Sequence, residues 1–504
     1  MNHLFDGLLA KRADEPDRTF AVLPGAAWNA GDRRVTYGDV LETSARFGAR
    51  LQAWNVRPGD RVAVQVEKSI EAVLLYLACL RIGAVFLPLN TAYTSSEISY
   101  FLQDAEPTVF LCDPARRTAL RSAARDTGTR LETLGAGASS GTLLEHAAPD
   151  EFEPVPRGPD DLAAILYTSG TTGRSKGAML THENLSHNAR TLAREWRFTA
   201  DDVLLHALPI FHTHGLFVAT NTVLASGASM VFLPGFSTDG LVAHMDRATC
   251  LMGVPTFYTR LLADDRFMRE TASHMRLFVS GSAPLLAETH VAFEARTGHR
   301  VLERYGMTET NMNTSNPYDG ERRPGTVGLP LPGTDLRIAD GEREVATGEP
   351  GVIEVRGPNV FAGYWRNPEK TAEEFRDDWF VTGDIGTRDA DGYVTIVGRA
   401  KDLVISGGFN IYPKEVEEAL DSQPGVAESA AFGVPHPDLG EAVVAVTVGE
   451  ADPETALDGA RATLARYKQP RAIFGVEELP RNAMGKVQKN VLRERYGDIF
   501  SPKN

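Results

Sequence analysis

The chain has 504 residues, more than one hydrophobic core usually supports, so we expect at least two domains. Its formal net charge of −15 argues against binding of nucleic acid, because that binding depends on neutralising phosphates with Lys and Arg. Hydrophobic residues make up 42% of the chain and charged residues 24%, which is typical of a globular enzyme and not of a disordered or fibrous protein.

The sequence shows no pattern typical of a targeting or membrane-spanning segment. Residues 1–16 mix acidic and basic side chains and lack an apolar signal core. Residues 73–89 are the most apolar stretch, but Arg81 interrupts it and Pro88 closes it, short of the roughly 20 residues that a span needs. We therefore expect a cytoplasmic protein without membrane insertion, and nothing in the sequence indicates an oligomeric state.

Strand and helix patterns alternate along the first part of the chain. Helical periodicity over residues 36–55 and 71–81 alternates with short apolar strands at 61–66 and 85–87, and further strands follow as far as residue 279. This alternation predicts a parallel sheet covered by helices.

The pattern changes twice in the second half of the chain. After Gly325, short β segments separated by turns predict a β-rich subdomain, and beyond Lys401 a new α/β series begins, with one helix expected at 455–467. The expected fold is α/β, with a large N-terminal domain (1–399) that contains a β-rich, barrel-type part. A small C-terminal α+β domain (400–504) would follow it.

The first chemical motif is the run Tyr-Thr-Ser-Gly-Thr-Thr-Gly-Arg-Ser-Lys-Gly at 167–177. Its glycines let backbone N–H groups converge on an anion, and its hydroxyls and lysine add further donors. It is not the Walker pattern, because no Gly-Lys-Ser/Thr is present. The loop predicts a site for a nucleotide triphosphate, formed by Thr168, Ser169, Gly170, Thr171, Thr172, Gly173 and Lys176.

This loop resembles the signature of the adenylate-forming superfamily, which includes acyl-CoA synthetases, peptide-synthetase adenylation domains and luciferases. Further runs resemble the other motifs of the superfamily and follow in the same order. They are Val-Ser-Gly-Ser-Ala-Pro-Leu at 279–285, Tyr-Gly-Met-Thr-Glu at 305–309, Thr-Gly-Asp at 382–384, Gly-Arg-Ala-Lys-Asp at 398–402 and Pro-Arg-Asn-Ala-Met-Gly-Lys at 480–486. The resemblance covers essentially the whole chain and implies a large adenylation domain followed by a small mobile domain.

The resemblance also implies roles in nucleotide binding and in the first reaction. Tyr305 would stack on adenine, Thr308 would contact the α-phosphate, and Glu309 would hold Mg²⁺. Lys486 would neutralise charge between the α-phosphate and the attacking carboxylate, together with Lys176. The other nucleotide-binding residues implied by the match are Gly281, Ser282, Ala283, Arg304, Gly306, Asp384 and Arg399.

Members of this superfamily activate a carboxylate as an acyl-adenylate, and the small domain then rotates so that a thiol can accept the acyl group. By the same match, Lys401 would lie at the hinge, and Gly407, Gly408 and Phe409 would receive the CoA arm. The resemblance therefore implies ATP, Mg²⁺ and coenzyme A as partners, and an acid–thiol ligase as the activity.

The acid is predicted from the segments expected to form the acyl pocket, since residues 208–219 and 252–262 resemble those of malonyl-CoA synthetases. Arg260 follows Thr256 by one helical turn and lies on the same face, and an arginine in an acyl pocket suggests a second carboxylate on the substrate. We expect malonate, and also methylmalonate, because one methyl group is worth only about 1 kcal/mol. The expected pocket residues are Arg260, His206, Thr213, His214, Ser282 and Met307.

Two alternatives stay open on the sequence. Arg260 could be a surface residue paired with Asp264, in which case the protein would activate another short- or medium-chain acid. An adenylation enzyme that loads a carrier protein would share the fold and the first step. A peptide-synthetase domain, however, normally has an acidic anchor where this chain has His212.

We predict that Lys401→Pro slows thioester formation more than adenylation. Proline fixes φ and removes a backbone N–H, so it stiffens the point about which the small domain is expected to turn. Pyrophosphate exchange measures the first half-reaction, and thioester release from preformed acyl-adenylate measures the second. Lys401→Ala controls for loss of the side chain, and equal losses in both half-reactions would argue against a hinge here.

Overall fold

A computed structural model describes most of the chain. The described residues are 1–12, 14–25, 31–136, 140–145, 152–168, 175–406, 409–437, 439–461, 464, 466–482 and 485–500. Some predicted site residues lie outside them, namely Ser169, Gly170, Thr171, Thr172, Gly173, Gly407 and Gly408, and the side chain of Phe409 is likewise not described.

Contacts divide the chain into two compact units. The first comprises Met1–Asp335 with Val355–Phe380, and the second comprises Leu336–Glu354 with Val381–Asn504. A large N-terminal α/β part followed by a small C-terminal part confirms the predicted fold class. The domain boundary near residue 400 stays a prediction.

The first unit is built largely from alternating strands and helices. Its strands are β1 (Thr19–Leu23), β2 (Arg33–Thr36), β3 (Arg61–Gln65), β4 (Val85–Pro88), β5 (Val109–Cys112), β6 (Arg130–Thr133), β7 (Leu162–Thr168), β8 (Lys176–Thr181), β9 (Val203–His206), β10 (Ser229–Phe232), β11 (Cys250–Gly253), β12 (Leu277–Ser280), β13 (Leu302–Met307), β14 (Asn311–Ser315) and β15 (Leu329–Pro330). Its helices include α1 (His3–Leu9), α2 (Tyr37–Ala53), α3 (Ile70–Ile82), α4 (Ser95–Ala105), α5 (Arg117–Asp126), α6 (His182–Glu195), α7 (Asn221–Ser226), α8 (Thr238–His244), α9 (Pro255–Leu262) and α10 (Ala287–Thr297).

The strands of the first unit form two sheets that are parallel through most of their width. One sheet has the order β15-β14-β13-β12-β11-β9-β10-β1-β2, and the other has the order β6-β5-β3-β4-β7-β8. Strands β5 and β12 are buried along their whole length, as expected for parallel strands covered on both faces. The carboxyl ends of parallel strands share one edge, where ligands of such sheets bind, and both His206 and the 281–283 turn lie at such ends.

The apolar stretch 73–89 forms a buried helix and a buried strand, as predicted. Helix α3 begins after Ser69, whose hydroxyl accepts a hydrogen bond from the N–H of Ala72. It ends at Gly83, which has the left-handed φ of 75° that a glycine tolerates best. Among the described residues, no helix is both long and apolar enough to cross a membrane.

Further strands and helices follow β15 along the chain, in both units. They are β16 (Asp335–Asp340), β17 (Arg343–Glu344), β18 (Gly351–Arg356), α11 (Pro368–Glu373), β19 (Phe375–Arg376), β20 (Trp379–Arg388), β21 (Val394–Arg399), β22 (Val404–Ser406), β23 (Phe409–Ile411), α12 (Pro413–Asp421), β24 (Val426–His436), β25 (Gly440–Gly449), α13 (Pro453–Ala460), β26 (Ala472–Gly475) and α14 (Lys489–Tyr496).

The C-terminal sheet of the second unit has the order β23-β22-β25-β24, with β26 paired to β25. Successive residues of β24 point to opposite faces of this sheet. Ala431 joins a buried cluster with Val416, and Phe432 joins another with Leu492. Helices therefore cover both faces, which gives this part of the chain a core of its own.

The predicted helix at 455–467 is wrong in its length. The structure has α13, which ends at Ala460, and then a separate 3₁₀ turn over Arg466–Lys468. The side chain of Asp452 caps the start of α13, and Gly459 weakens helix propensity where the helix ends. The apolar spacing misled the prediction because Leu464, beyond the helix, is buried in the same cluster.

An ion pair between the buried Asp202 and the half-buried Arg276 joins strands of the larger sheet at their amino ends. The side chain of Asp202, just before β9, accepts hydrogen bonds from the Arg276 guanidinium at 2.6 and 2.7 Å and from Thr249 Oγ1 at 2.7 Å. Burial acts to raise the pKa of Asp202, but the hydrogen bonds from Arg276 and its other donors outweigh burial and hold this pKa below its usual value.

We predict that Asp202→Asn lowers the free energy of unfolding by about 3 kcal/mol at neutral pH, because Arg276 is then left without its counter-charge. Since the pKa of Asp202 is depressed on folding, this stabilisation is present above a pH of about 4 and is lost as the pH falls through the folded-state pKa. Urea denaturation of parent and variant should show the difference shrinking below about pH 4.

The matched control is Asp126→Asn, because Asp126 pairs with Arg125 at an exposed position. This change should alter the free energy of unfolding by less than about 0.5 kcal/mol at any pH. A loss in Asp202→Asn that does not depend on pH would show that the charge is not what stabilises the sheet here.

Candidate active site

The turn between β12 and α10 contains Gly281, Ser282 and Ala283. Ser282 has a φ of 72°, in the left-handed region that non-glycine residues rarely occupy, so the backbone is strained at this residue. The Ser282 hydroxyl lies 3.1 Å from Nδ1 of His214. The structure thus brings together two residues that the sequence predicts to share an acyl pocket.

Arg304 on β13 packs against this turn, so closely that a β-carbon at Gly281 would overlap its guanidinium. The residue is 3% exposed, and its Nε and Nη2 atoms have no hydrogen-bond partner within the described part of the chain. Burial lowers the pKa of Arg304 to about 9. The side chain is therefore still a cation at neutral pH, although it is buried.

Among the described residues, the groups that contact Arg304 do not compensate its charge. Burial, and next the charge of Arg304, hold the pKa of His214 well below its usual value, so this imidazole is neutral. Glu303, the neighbour of Arg304 in β13, points to the other face of the strand, where it accepts a hydrogen bond from the N–H of Leu285. An unpaired buried cation is costly, so this position is suited to an anion.

His214 is presented by a π-helix, His214–Thr220, whose residues are all buried. Such helices are rare and often mark functional sites. The carbonyl oxygen of Gly215 accepts a hydrogen bond from Thr220 Oγ1 at 2.9 Å and lies 2.8 Å from His206 Nε2. A β-carbon at Gly215 would overlap the carbonyl oxygen of Pro209, so only glycine fits at this point.

His206 contacts the π-helix at the carbonyl oxygen of Gly215. Lys68 Nζ lies 3.1 Å from His206 Nδ1 and donates to the His206 carbonyl oxygen at 2.9 Å. Desolvation by burial holds the pKa of Lys68 well below its usual value. With Lys68 donating to Nδ1, His206 is left to donate through Nε2 to Gly215, so His206 supports the π-helix.

The remaining predicted acyl-pocket residues differ in burial. Arg260 on α9 is exposed, with its guanidinium 5.5 Å from the centre of the Phe236 ring. Asp264, the alternative partner considered for Arg260, binds the Arg266 guanidinium at 2.5 Å. Thr213 is 2% exposed, and its hydroxyl has no hydrogen-bond partner among the described residues. Met307, at the end of β13, is half-buried.

A second group of predicted residues meets around Glu309. The Glu309 side chain is buried, and its Oε1 accepts a hydrogen bond from the Tyr364 hydroxyl at 3.0 Å and a longer one from Thr168 Oγ1 at 3.4 Å. Lys176 Nζ lies 4.4 Å from the centre of the Tyr364 ring and 3.5 Å from a carboxylate oxygen of Glu374. Lys176 of the phosphate loop and Glu309, the predicted metal ligand, therefore both contact Tyr364.

The run at 305–309 forms the end of β13 and a tight turn into β14. A β-carbon at Gly306 would overlap the carbonyl oxygen of Asn311, which explains why this motif needs a glycine. Tyr305 and Thr308 are half-buried, as side chains that face a ligand would be.

The predicted residues of the second unit form their own groups. Asp384 on β20 and Arg399 on β21 are direct cross-strand partners, and Arg399 Nε lies 2.9 Å from Asp384 Oδ1. Lys401 is exposed, next to Asp402, which accepts a hydrogen bond from Arg493 at 2.8 Å. Lys486 is an exposed side chain that follows a turn closed by its backbone and Asn482.

Sequence reasoning missed Tyr364 and Lys68, both of which contact predicted site residues. Lys68 gave a weak signal, because it lies two residues before α3, whose residues are nearly all apolar. A lysine next to such a helix can become buried. Tyr364 gave no signal, because it is far in sequence from Glu309 and lies in no periodic segment.

Comparison with known protein families identifies the family to which the chain belongs. A family model described as AMP-binding enzyme matches residues 9–365, and one described as AMP-binding enzyme C-terminal domain matches residues 415–486. The chain belongs to the AMP-binding enzyme family, within the adenylate-forming superfamily. The predicted class, an acid–thiol ligase, is confirmed.

Individual relatives show the range of acids that such enzymes use. The structure of ATP-bound MatB from Rhodopseudomonas palustris superposes with a TM-score of 0.95 and 55% identity, covering 99% of this chain and 100% of that one. The malonate–CoA ligase of Arabidopsis thaliana is 36% identical over 96% of this chain and 86% of its own length. A feruloyl-CoA synthase from an Amycolatopsis species is 37% identical, covering 96% of this chain and 98% of its own.

We predict that Gly215→Ala destabilises the protein by about 1–3 kcal/mol, because the added methyl group forces the π-helix away from Pro209. Gly235→Ala is the matched control, since a β-carbon there meets nothing within 4 Å. Thermal denaturation should separate the two variants, and equal melting temperatures would show that the π-helix tolerates the displacement.

Proposed function

We propose that the protein joins malonate to coenzyme A through a malonyl-adenylate, converting ATP to AMP and pyrophosphate. A carboxylate is a poor acyl donor, because its leaving group would be oxide. Attack of the carboxylate on the α-phosphorus of ATP expels pyrophosphate and forms a mixed anhydride. The CoA thiolate then attacks the acyl carbon, and AMP leaves as a good leaving group.

The choice of malonate is carried by the buried guanidinium of Arg304. A monocarboxylic acid offers one charged group, which reacts at the phosphate and leaves nothing to pair with a cation deeper in the pocket. A dicarboxylic acid presents a second carboxylate, which can accept hydrogen bonds from Nε and Nη2 of Arg304. Ser282 and His214 flank this position with further polar atoms. The likeness to MatB and to a malonate–CoA ligase supports the same acid.

The first half-reaction depends on positive charge around the phosphates. We assign Lys176 to the β- and γ-phosphates and Thr308 to the α-phosphate. Lys486 would neutralise the charge that develops between the α-phosphate and the attacking oxygen. Tyr305 would hold the adenine, and the Asp384–Arg399 pair would meet the ribose hydroxyls.

The residues around Glu309 fit Mg²⁺. The carboxylate of Glu309 and the hydroxyl of Thr168 are hard oxygen ligands that lie side by side, and Mg²⁺ in nucleotide sites usually binds one or two carboxylates together with phosphate oxygens. Within the described residues, no group of three or more His, Cys, Asp or Glu side chains could hold a metal without such phosphates. When bound, the ion supplies charge that stabilises the departing pyrophosphate.

The second half-reaction needs a different arrangement, because the thiol must approach where pyrophosphate has left. We propose that the small domain (400–504) turns about Lys401 against the large domain (1–399). This rotation would withdraw Lys486 and bring the loop with Gly407, Gly408 and Phe409 to the pantetheine arm.

We further assign Thr213 and Met307 to the walls that limit the size of the acid. Thr213 is a small, buried residue, and Met307 is half-buried with a flexible side chain. A methyl branch on the acid would therefore contact one small side chain and one that can adapt to it. Methylmalonate should therefore also react.

The test is CoA-dependent formation of AMP and pyrophosphate with acetate, malonate, methylmalonate, succinate and a medium-chain fatty acid, with the thioester identified by mass. Malonyl-CoA as the dominant product would support the proposal. Dominant acetyl-CoA or fatty acyl-CoA would overturn it, and pyrophosphate release without any thioester would point to a carrier protein as the acceptor.

Two variants decide which arginine recognises the second carboxylate. We predict that Arg304→Met lowers kcat/KM for malonate by about 100-fold while acetate turnover changes little, because charge-assisted hydrogen bonds to malonate are lost. Its melting temperature should not fall, since an uncompensated cation is replaced by an apolar side chain of similar length. Arg260→Met should have the smaller effect on malonate, and the reverse order would assign the anchor to Arg260.

A further inference from the structure

The segment at residues 361–365 joins the two parts of the proposed MgATP site in the first unit. On one side it pairs with β8, the strand that leaves the phosphate loop: the N–H of Ala362 donates to the carbonyl oxygen of Met179 at 2.9 Å, and the N–H of Trp365 donates to that of Gly177 at 2.7 Å. On the other side, the N–H of Phe361 donates to the carbonyl oxygen of Glu309 at 2.7 Å.

Tyr364 lies in this segment and is 3% exposed. Its hydroxyl donates to Glu309 Oε1 at 3.0 Å, and the face of its ring carries the ammonium of Lys176 at 4.4 Å from the ring centre. Burial, and next the charge of Glu309, raise the pKa of Tyr364 far above neutrality, so the hydroxyl is a permanent donor. One side chain thus contacts a cation through its ring and a carboxylate through its hydroxyl.

We propose that Tyr364 is a positioning residue that holds the Glu309 carboxylate for Mg²⁺ and the Lys176 ammonium for the triphosphate. The inference rests on the proposed roles of Glu309 and Lys176 in binding MgATP. Opposite charges in a partly buried site attract strongly, and a direct ion pair between the two would remove both from ligand binding. Tyr364 contacts each charge separately and keeps Glu309 from pairing with Lys176, whose ammonium also lies 3.5 Å from a carboxylate oxygen of Glu374.

Tyr37 provides a comparison, because it is equally buried but serves packing. Its hydroxyl donates to the carbonyl oxygen of Ala228 at 2.7 Å, and that bond joins α2 to the residue before β10. Removing either hydroxyl takes one hydrogen bond from a buried acceptor, and Glu309 Oε1 keeps the longer one from Thr168. Any effect on stability should therefore be similar for the two tyrosines, whereas an effect on metal binding should be specific to Tyr364.

The experiment compares Tyr364→Phe with Tyr37→Phe in the full-length protein. Binding of Mn²⁺, as a paramagnetic substitute for Mg²⁺, is followed by electron paramagnetic resonance in the presence of a non-hydrolysable ATP analogue. We expect Tyr364→Phe to weaken Mn²⁺ binding roughly tenfold and to raise the half-saturating Mg²⁺ in pyrophosphate exchange by a similar factor. Tyr37→Phe should leave both values unchanged, with a melting temperature close to that of Tyr364→Phe.

A third variant separates the ring from the hydroxyl. Tyr364→Leu removes both. It should also raise the KM for MgATP above that of Tyr364→Phe, because the ammonium of Lys176 loses its contact with the aromatic ring. Equal Mn²⁺ affinity in Tyr364→Phe and Tyr37→Phe would overturn the proposal. The metal titration does not depend on which acid is activated, so a protein that makes no malonyl-CoA but shows the expected shift would lose the malonate assignment alone.

Discussion

A positive charge held in the protein interior, with no carboxylate paired to it among the described residues, is the constraint on which the candidate acyl pocket depends. Arg304 belongs to the buried first half of β13, which pairs with a strand on each side in the larger sheet. The position of this strand holds the side chain of Arg304 in the interior. Alternation along the strand sends Glu303 to the opposite face, which prevents the adjacent acid from neutralising it. The protein therefore keeps a site that an anionic ligand stabilises, at a cost to the unliganded state.

The pocket is also shaped by backbone segments that approach more closely than side chains would allow. Gly215 touches Pro209, Gly281 touches Arg304, and Gly306 touches the backbone of Asn311. Each contact lies next to a residue proposed to bind substrate, so the glycines bring rigid backbone close to the ligand positions. The π-helix adds to this rigidity, because His206 and Thr220 both bond the Gly215 carbonyl and fix the place of His214.

Much of the fold could be predicted from the sequence, because it rests on local patterns. The alternation of strand and helix signals located the parallel sheets. The nucleotide roles rest on the resemblance of runs such as 305–309 to the motifs of the superfamily, and they stay predictions. The helix at 455–467 failed because burial of Leu464 imitated helical periodicity beyond the real helix end.

The side chain proposed to bind the second carboxylate was harder to predict, because burial is a property of the folded chain. Arg260 attracted attention through its helical spacing, yet it is exposed. Arg304 lies directly before the 305–309 motif, and only the packing of β13 against the 281–283 turn shows that its guanidinium is buried. Tyr364 and Lys68 act through partners remote in sequence, Glu309 and His206, and no local pattern connects them.

The overlap between Arg304 and a β-carbon at Gly281 also limits the order in which these two positions can change. While residue 304 is an arginine, any side chain at 281 would have to displace its guanidinium, whereas a shorter side chain at 304 leaves that volume to residue 281. If the cation were lost first and position 281 filled afterwards, an arginine could regain its present place at 304 only after residue 281 had become a glycine again.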